Sequence, residues 1–226
     1  MKYSWILFDA DGTLFDYDRA EGVALESAFA EMELAFQPGY TPIYREINEA
    51  IWKAFERGEI ARARLRLERF ERLFEAAGVR VDAAAFSAVY LRHLGDGAFL
   101  IDGALQVIAA LRGKIHLALI TNGLKEVQRS RLARSAISDA FEAVIISEEV
   151  GVSKPDVRIF DIAFEQMGRP ARSKVLLVGD SLTSDMAGGI AYSIDTCWFN
   201  PAGQERTLQV SYEIQDLWQV VALAGL

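Results

Sequence analysis

The feature that most constrains this chain is the placement of five short apolar runs between helical stretches. Tyr3 to Phe8 is aromatic-rich and, but for Ser4, apolar throughout, as a strand buried on both faces should be, and it stops abruptly at the polar turn Asp9-Ala10-Asp11-Gly12-Thr13. Four further runs lie far downstream: Ile115 to Ile120, Ala143 to Ile146, Val175 to Val178 and Thr196 to Phe199. Helical stretches separate them, at Ala104 to Leu111, Lys125 to Ala133, Val157 to Met167 and Ser184 to Tyr192. Such alternation predicts an α/β fold built on a doubly wound parallel sheet.

Residues 17–96 break the alternation and read as helices with no strand among them. Ile47, Ile51, Ala54 and Phe55 share one helical stripe, and Leu67, Phe70, Phe74 and Ala77 a second, with Gly78 as its stop. Gly95-Asp96-Gly97 and Asp102-Gly103 mark the return to the α/β part. The expected division is therefore a core of residues 1–16 and 97–226 with an all-helical insertion of residues 17–96. The arginine-rich stretch Arg57 to Arg72 reads as a solvated helix face laced with Glu59, Glu68 and Glu71.

Composition narrows the function classes. A chain of 226 residues needs no disulfides to bury a sizeable core. Its one cysteine, Cys197, cannot form an internal bridge, which fits a reducing, cytoplasmic setting and reads as an inert core thiol. The net charge of −8 argues against a polymeric nucleic-acid partner, and no apolar run approaches a membrane span. A small phosphorylated ligand stays compatible, because one metal ion and one lysine invert the charge locally.

In an open parallel sheet, ligands bind beyond the carboxyl ends of the strands. Asp9 and Asp11 follow the first run, Thr121-Asn122-Gly123 the second, Lys154-Pro155 the third, and Gly179, Asp180 and Asp185 the fourth. Converging carboxylates repel one another and are costly to desolvate; a hard cation resolves this, and oxygen-only donors point to Mg²⁺. Hydroxyl, amide and lysine donors beside that cation suit a phosphoryl group. One carboxylate is then free to attack phosphorus, and a second can protonate the leaving oxygen and later deprotonate water.

These four segments, in this order, resemble the motifs of the haloacid dehalogenase superfamily of hydrolases. Asp9-Ala10-Asp11-Gly12-Thr13 is similar to the first, Thr121-Asn122-Gly123 to the second, Lys154-Pro155 to the third, and Gly179 to Asp185 to the fourth. The resemblance implies that Asp9 is nucleophile and metal ligand, and that Asp11 is general acid/base with its main-chain carbonyl on the metal. It implies Thr121 and the amide of Asn122 as phosphate holders and Lys154 as the neutralising cation. Asp180 becomes a metal ligand, while Asp185 either ligates through water or orients Lys154. The insertion resembles a helical cap that closes over the site.

Within the superfamily, Trp5 to Asp11, Ile120 to Gly123, Ile146 to Pro155 and Thr196 to Asn200 look most like the pyrimidine 5′-nucleotidases, although relatives of that subgroup sometimes replace the residue at Gly12. The expected function is hydrolysis of nucleoside monophosphates by a monomer or homodimer. The alternatives are a phosphatase of another small metabolite or a 2-haloacid dehalogenase; the latter needs neither a second motif-one aspartate nor a metal, so Asp11, Asp180 and Asp185 weigh against it. A receiver-type signalling domain shares the Asp, Thr and Lys set but is half this length and lacks the insertion. Tyr44, Trp52 and Phe55 are expected chiefly as core, with stacking on a base as the other reading; Asn48 and Arg64 are lesser candidates for reading a base. His93 and His116 have no ligand-like company.

Overall fold

A computed structural model describes residues 1–226. Six parallel strands form one sheet: β1 (Trp5–Phe8), β2 (His116–Thr121), β3 (Ala143–Ile146), β4 (Val175–Gly179), β5 (Asp195–Phe199) and β6 (Tyr212–Ile214), in the order β3-β2-β1-β4-β5-β6. The order reverses between β1 and β4, which is where such sheets open a crevice for ligands. In register, Phe8 of β1 faces Leu119 of β2 and Val178 of β4. The ladder runs one residue further, because the Asp9 N–H donates to the Val178 carbonyl at 2.8 Å. Asp9 thus leaves the sheet at its switch point with a fixed backbone.

Successive strand side chains point to opposite faces, and both faces are covered. Ile6 and Phe8 pack with Val107, Ile108 and Leu111 of helix α5 (Ala104–Leu111, numbered after the four helices of the insertion) and with Val220 and Val221 near the C-terminus. Trp5 and Leu7 face the other way, against Ile159, Phe160 and Ala163. Burial on both sides explains why each strand reads as an unbroken apolar run. The helices of this part after α5 are α6 (Lys125–Arg134), α7 (Ser147–Val150), α8 (Val157–Gln166), α9 (Ala187–Ala191) and α10 (Gln219–Leu223), with a π-helical turn at Leu182–Met186. Five strands were expected and six are present. The sixth, Tyr212–Ile214, has only three residues and exposes Glu213, so it lacks the apolar run that marks the others.

The chain divides into two compact units, residues 1–17 with 98–226, and residues 18–97. The second is all helix: α1 (Tyr17–Glu31), α2 (Tyr40–Glu56), α3 (Arg62–Ala77) and α4 (Ala83–Asp96). Its core is aromatic, with Phe70 stacked on Tyr44 at 5.4 Å and Phe74 edge-on to Phe86 at 4.9 Å. Gly78 ends α3 in the left-handed conformation that its missing Cβ makes cheap.

Two sequence expectations need correcting here. The buried face of α2 is Tyr40, Tyr44, Asn48 and Ile51, and that of α3 is Leu65, Arg69, Phe70, Leu73 and Phe74, so both stripes are rotated from those expected. The cause is polar: Asn48 donates to Glu21 Oε1 at 3.0 Å and accepts from Arg69 Nη1 at 3.2 Å, with all three residues buried. Arg69 is therefore an interior residue of the arginine-rich stretch, while Arg57, Arg64 and Arg72 do pair on the surface with Glu59, Glu71 and Glu68. Tyr44 is core; Trp52 and Phe55 are half-buried and meet edge to face. His93 pairs with Glu31 and His116 with Glu142. Cys197 is buried in β5, and burial pushes its thiol up to about 12, the state of an inert core sulfur. No helix is long and apolar enough to cross a membrane.

Candidate active site

Four strand ends bring the site together. Asp9 follows β1, Thr121 ends β2, Lys154 follows β3 and α7, and Asp180 follows β4. Lys154 is the hub. Its side chain is 1% exposed, and its Nζ donates to Asp9 Oδ1, to Asp185 Oδ1 at 2.6 Å and to the Ile120 carbonyl at 2.9 Å. Three acceptors match the three protons of an ammonium, so a lysine buried this deeply is fully spent. The backbone of Lys154 is fixed as well: the Asn122 side chain accepts from its N–H at 2.8 Å and donates to its carbonyl at 2.9 Å. The Lys154-Pro155 peptide bond is cis.

Asp9, Asp180 and Asp185 form one carboxylate cluster, each offering an oxygen within 4.8 Å of the others. Asp185 is spoken for, since its Oδ1 accepts from Lys154 and its Oδ2 from the Ser181 N–H at 3.1 Å. Asp180 accepts from Thr13 Oγ1 at 3.2 Å, and its carbonyl accepts from the Trp198 indole at 2.8 Å. Gly12 is required beside it: φ is +80°, and a Cβ there would stand 2.4 Å from Asp180 Oδ2. Thr13 and Trp198 support Asp180; both lie in segments that carry the resemblance, Thr13 closing the first motif and Trp198 within Thr196 to Asn200, but the sequence pattern assigns neither a role.

The electrostatics follow from the count. Three carboxylates face one ammonium, so full ionisation would leave two uncompensated negative charges in a buried space. Burial, and then the charge of Asp185, push Asp180 up to about 7. Burial and the neighbouring carboxylates Asp185 and Asp180 hold Asp9 well above the usual range against the pull of Lys154. Burial works against the Lys154 charge, but Asp185 and Asp9 outweigh it and keep the amine protonated. A hard divalent cation on oxygen-only donors supplies the two missing charges, so the donor chemistry fits Mg²⁺.

Asp11 stands apart from that cluster. Its carboxylate accepts from Gln128 Nε2 at 2.6 Å and from Arg131, both on α6. Neither partner was anticipated; polar residues on a helix with few apolar ones read as a solvated face, although Gln128 and Arg131 are buried. Thr121 is buried, and its Oγ1 accepts from the Gly123 N–H at 3.0 Å.

A buried lysine bridging carboxylates at the switch point of a parallel sheet, with a hydroxyl and a second motif-one aspartate beside it, marks the candidate site of a hydrolase in an α/β fold. The haloacid dehalogenase-like hydrolase family matches residues 3–192. The chain belongs to that family. The pyrimidine 5′-nucleotidase YjjG of Escherichia coli strain K12 is 37% identical to it over 206 residues, 91% of this chain and 90% of the relative. The pyrimidine 5′-nucleotidase PynA of Streptococcus pneumoniae R6 is 35% identical, covering 96% and 94%. A crystal structure of the HAD-hydrolase YfnB of Bacillus subtilis, bound to magnesium, superposes with a TM-score of 0.95 at 32% identity, with 100% of each chain covered. The L-2-haloacid dehalogenase of Xanthobacter autotrophicus shares the fold, with a TM-score of 0.78 at 20% identity over 99% of this chain and 98% of the other. In this company the chain stands as a hydrolase of the phosphoric monoester class.

Proposed function

We propose that this enzyme hydrolyses nucleoside 5′-monophosphates, pyrimidine nucleotides foremost, with Mg²⁺ and through an aspartyl-phosphate intermediate. The observation that carries the reading is the buried Lys154 bridging Asp9 and Asp185 within one carboxylate cluster. The nucleotide preference rests on the two pyrimidine 5′-nucleotidases among its relatives.

In this reading Lys154 holds one oxygen of Asp9 and fixes its rotamer, leaving the other to attack phosphorus. The ester oxygen leaves as an alcohol by taking the proton of Asp11, and Asp9 becomes the acyl phosphate. Water then attacks that phosphorus, Asp11 takes its proton, and phosphate departs with Asp9 restored. Thr121 and the Asn122 amide hold the phosphoryl oxygens, and Lys154 neutralises their charge. Asp9, Asp180 and the main-chain carbonyl of Asp11 would hold Mg²⁺, which neutralises phosphoryl charge when bound; Asp185 acts by orienting Lys154. Residues 17–96 serve as the cap that selects substrate, residues 1–16 and 97–226 as the catalytic core, and a cytoplasmic setting suits the single buried thiol.

The deciding experiment is a Mg²⁺-supported screen of purified protein against nucleoside mono-, di- and triphosphates, sugar phosphates and 2-haloacids. Release of phosphate from UMP, dUMP or dTMP above the other esters is expected. A sugar phosphate turned over better than every nucleotide would reassign the substrate, and halide release would overturn the reaction class.

A further inference from the structure

Asp11 lies two residues from Asp9, yet its carboxylate is directed away from the cation cluster and into α6. Arg131 is fully buried, and its ion partner is Asp11, whose side chain keeps 27% exposure. The guanidinium lies over the rings of Phe15 and Tyr17, at 5.6 and 5.9 Å. Arg131 Nε and Nη2 and Gln128 Oε1 are buried without hydrogen-bond partners. Sequestering a guanidinium with two nitrogens unspent is costly, and a fold carries such a cost where the group acts. Space is cleared for the arrangement too: a Cβ on Gly123 would stand 2.2 Å from Gln128 Nε2.

We propose that Gln128 and Arg131 are positioning residues for Asp11. They occupy one oxygen each, keep this carboxylate from collapsing into the Asp9–Asp180–Asp185 cluster, and present it to the leaving group. Gln128 closes the first turn of α6 and Arg131 lies one turn further on, in a helix that starts directly after Thr121-Asn122-Gly123-Leu124. The turn assigned to the phosphate and the clamp on the acid therefore belong to one rigid element. The inference rests on the phosphatase reading above, with Asp11 as its general acid/base.

The test uses two aryl esters that differ in leaving group and carry no base or sugar. Gln128→Leu is expected to lower kcat on phenyl phosphate about tenfold, but on p-nitrophenyl phosphate less than about threefold, because a good leaving group needs less acid help. KM should stay within about twofold on both, as a loss confined to the transition state requires. In an Asp11→Asn background, Gln128→Leu should change neither rate further. Arg131→Met should show the same split, and Arg131→Lys, which keeps the charge but not the fork, should fall between it and wild type. Equal losses on the two esters, or an undiminished effect of Gln128→Leu beside Asp11→Asn, would overturn the clamp. Gln128 is neutral, so its variant carries the test even if Arg131→Met fails to fold.

Wild type that hydrolyses both esters but no nucleotide refutes the nucleotide reading and leaves this comparison intact. Wild type that releases phosphate from neither aryl ester nor any nucleotide refutes the phosphatase reading. The positioning role of Gln128 and Arg131, which rests on that reading, falls with it.

Discussion

Lys154 reaches Asp185 at 2.6 Å with both side chains 1% exposed, so the ammonium and its acidic partner form a fully interior ion pair. Such a pair stabilises little by itself, but removing one member strands the other. Lys154→Met leaves Asp9, Asp180 and Asp185 facing one another without a counter-charge. We expect loss of activity, and a stability loss of about 3–5 kcal/mol near pH 8 in metal-free protein. The loss should shrink near pH 5, where Asp9 and Asp180, both held above the usual carboxylate range, take up protons and the repulsion falls. Urea unfolding at the two pH values checks the sign.

Asp9→Asn keeps the size and removes the nucleophile. Hydrolysis of p-nitrophenyl phosphate should fall to the limit of detection, while stability rises or stays level, because one of three crowded carboxylates has become neutral. Appreciable residual turnover in an assay with added Mg²⁺ would refute covalent catalysis by Asp9.

The core was legible in the sequence because physics writes it in runs. Trp5 to Phe8 and Val175 to Val178 are buried on both faces, and polar residues at their ends mark where the sheet stops and the site begins. What escaped lies where polar side chains go inside. Asn48 and Arg69 sit on the buried faces of α2 and α3, so a search for apolar stripes rotates both helices. Gln128 and Arg131 are hidden in the same way on α6, where the one available signal is that the two lie one turn apart, each the chain neighbour of an apolar residue, Val127 or Leu132. A pattern of burial can be read from hydrophobicity only when the buried residue is hydrophobic.

Asp180, pushed up to about 7, and Asp9, held well above its usual range, bind protons more tightly folded than unfolded, where carboxylates titrate near about 4. With more protons bound in the native state, the slope of stability against pH is negative. Metal-free protein should therefore lose stability as the pH rises from about 4 through about 7. Mg²⁺ competes with those protons, so its affinity should rise over the same window and its binding near pH 7 should release protons. Calorimetry in two buffers of different ionisation enthalpy measures that release. EDTA should stop turnover, and excess Mg²⁺ should restore it; activity that survives EDTA would sink the metal assignment.

The helical unit offers a test of its own. Glu21 accepts from Asn48 and, at 3.1 Å, from Arg45 Nε, and Asn48 accepts in turn from Arg69, whose guanidinium lies over Phe70 and Tyr90 at 5.0 and 5.3 Å. Arg69→Met keeps the length and the packing but removes the interior cation from the buried Glu21–Asn48–Arg69 trio. A loss of about 3 kcal/mol is expected, as for removing one charge from a buried polar network. Glu21→Gln combined with Arg69→Met should recover part of it, because no buried charge then remains. If the double variant instead shows the sum of the two single losses in urea unfolding, the polar trio is not a coupled network.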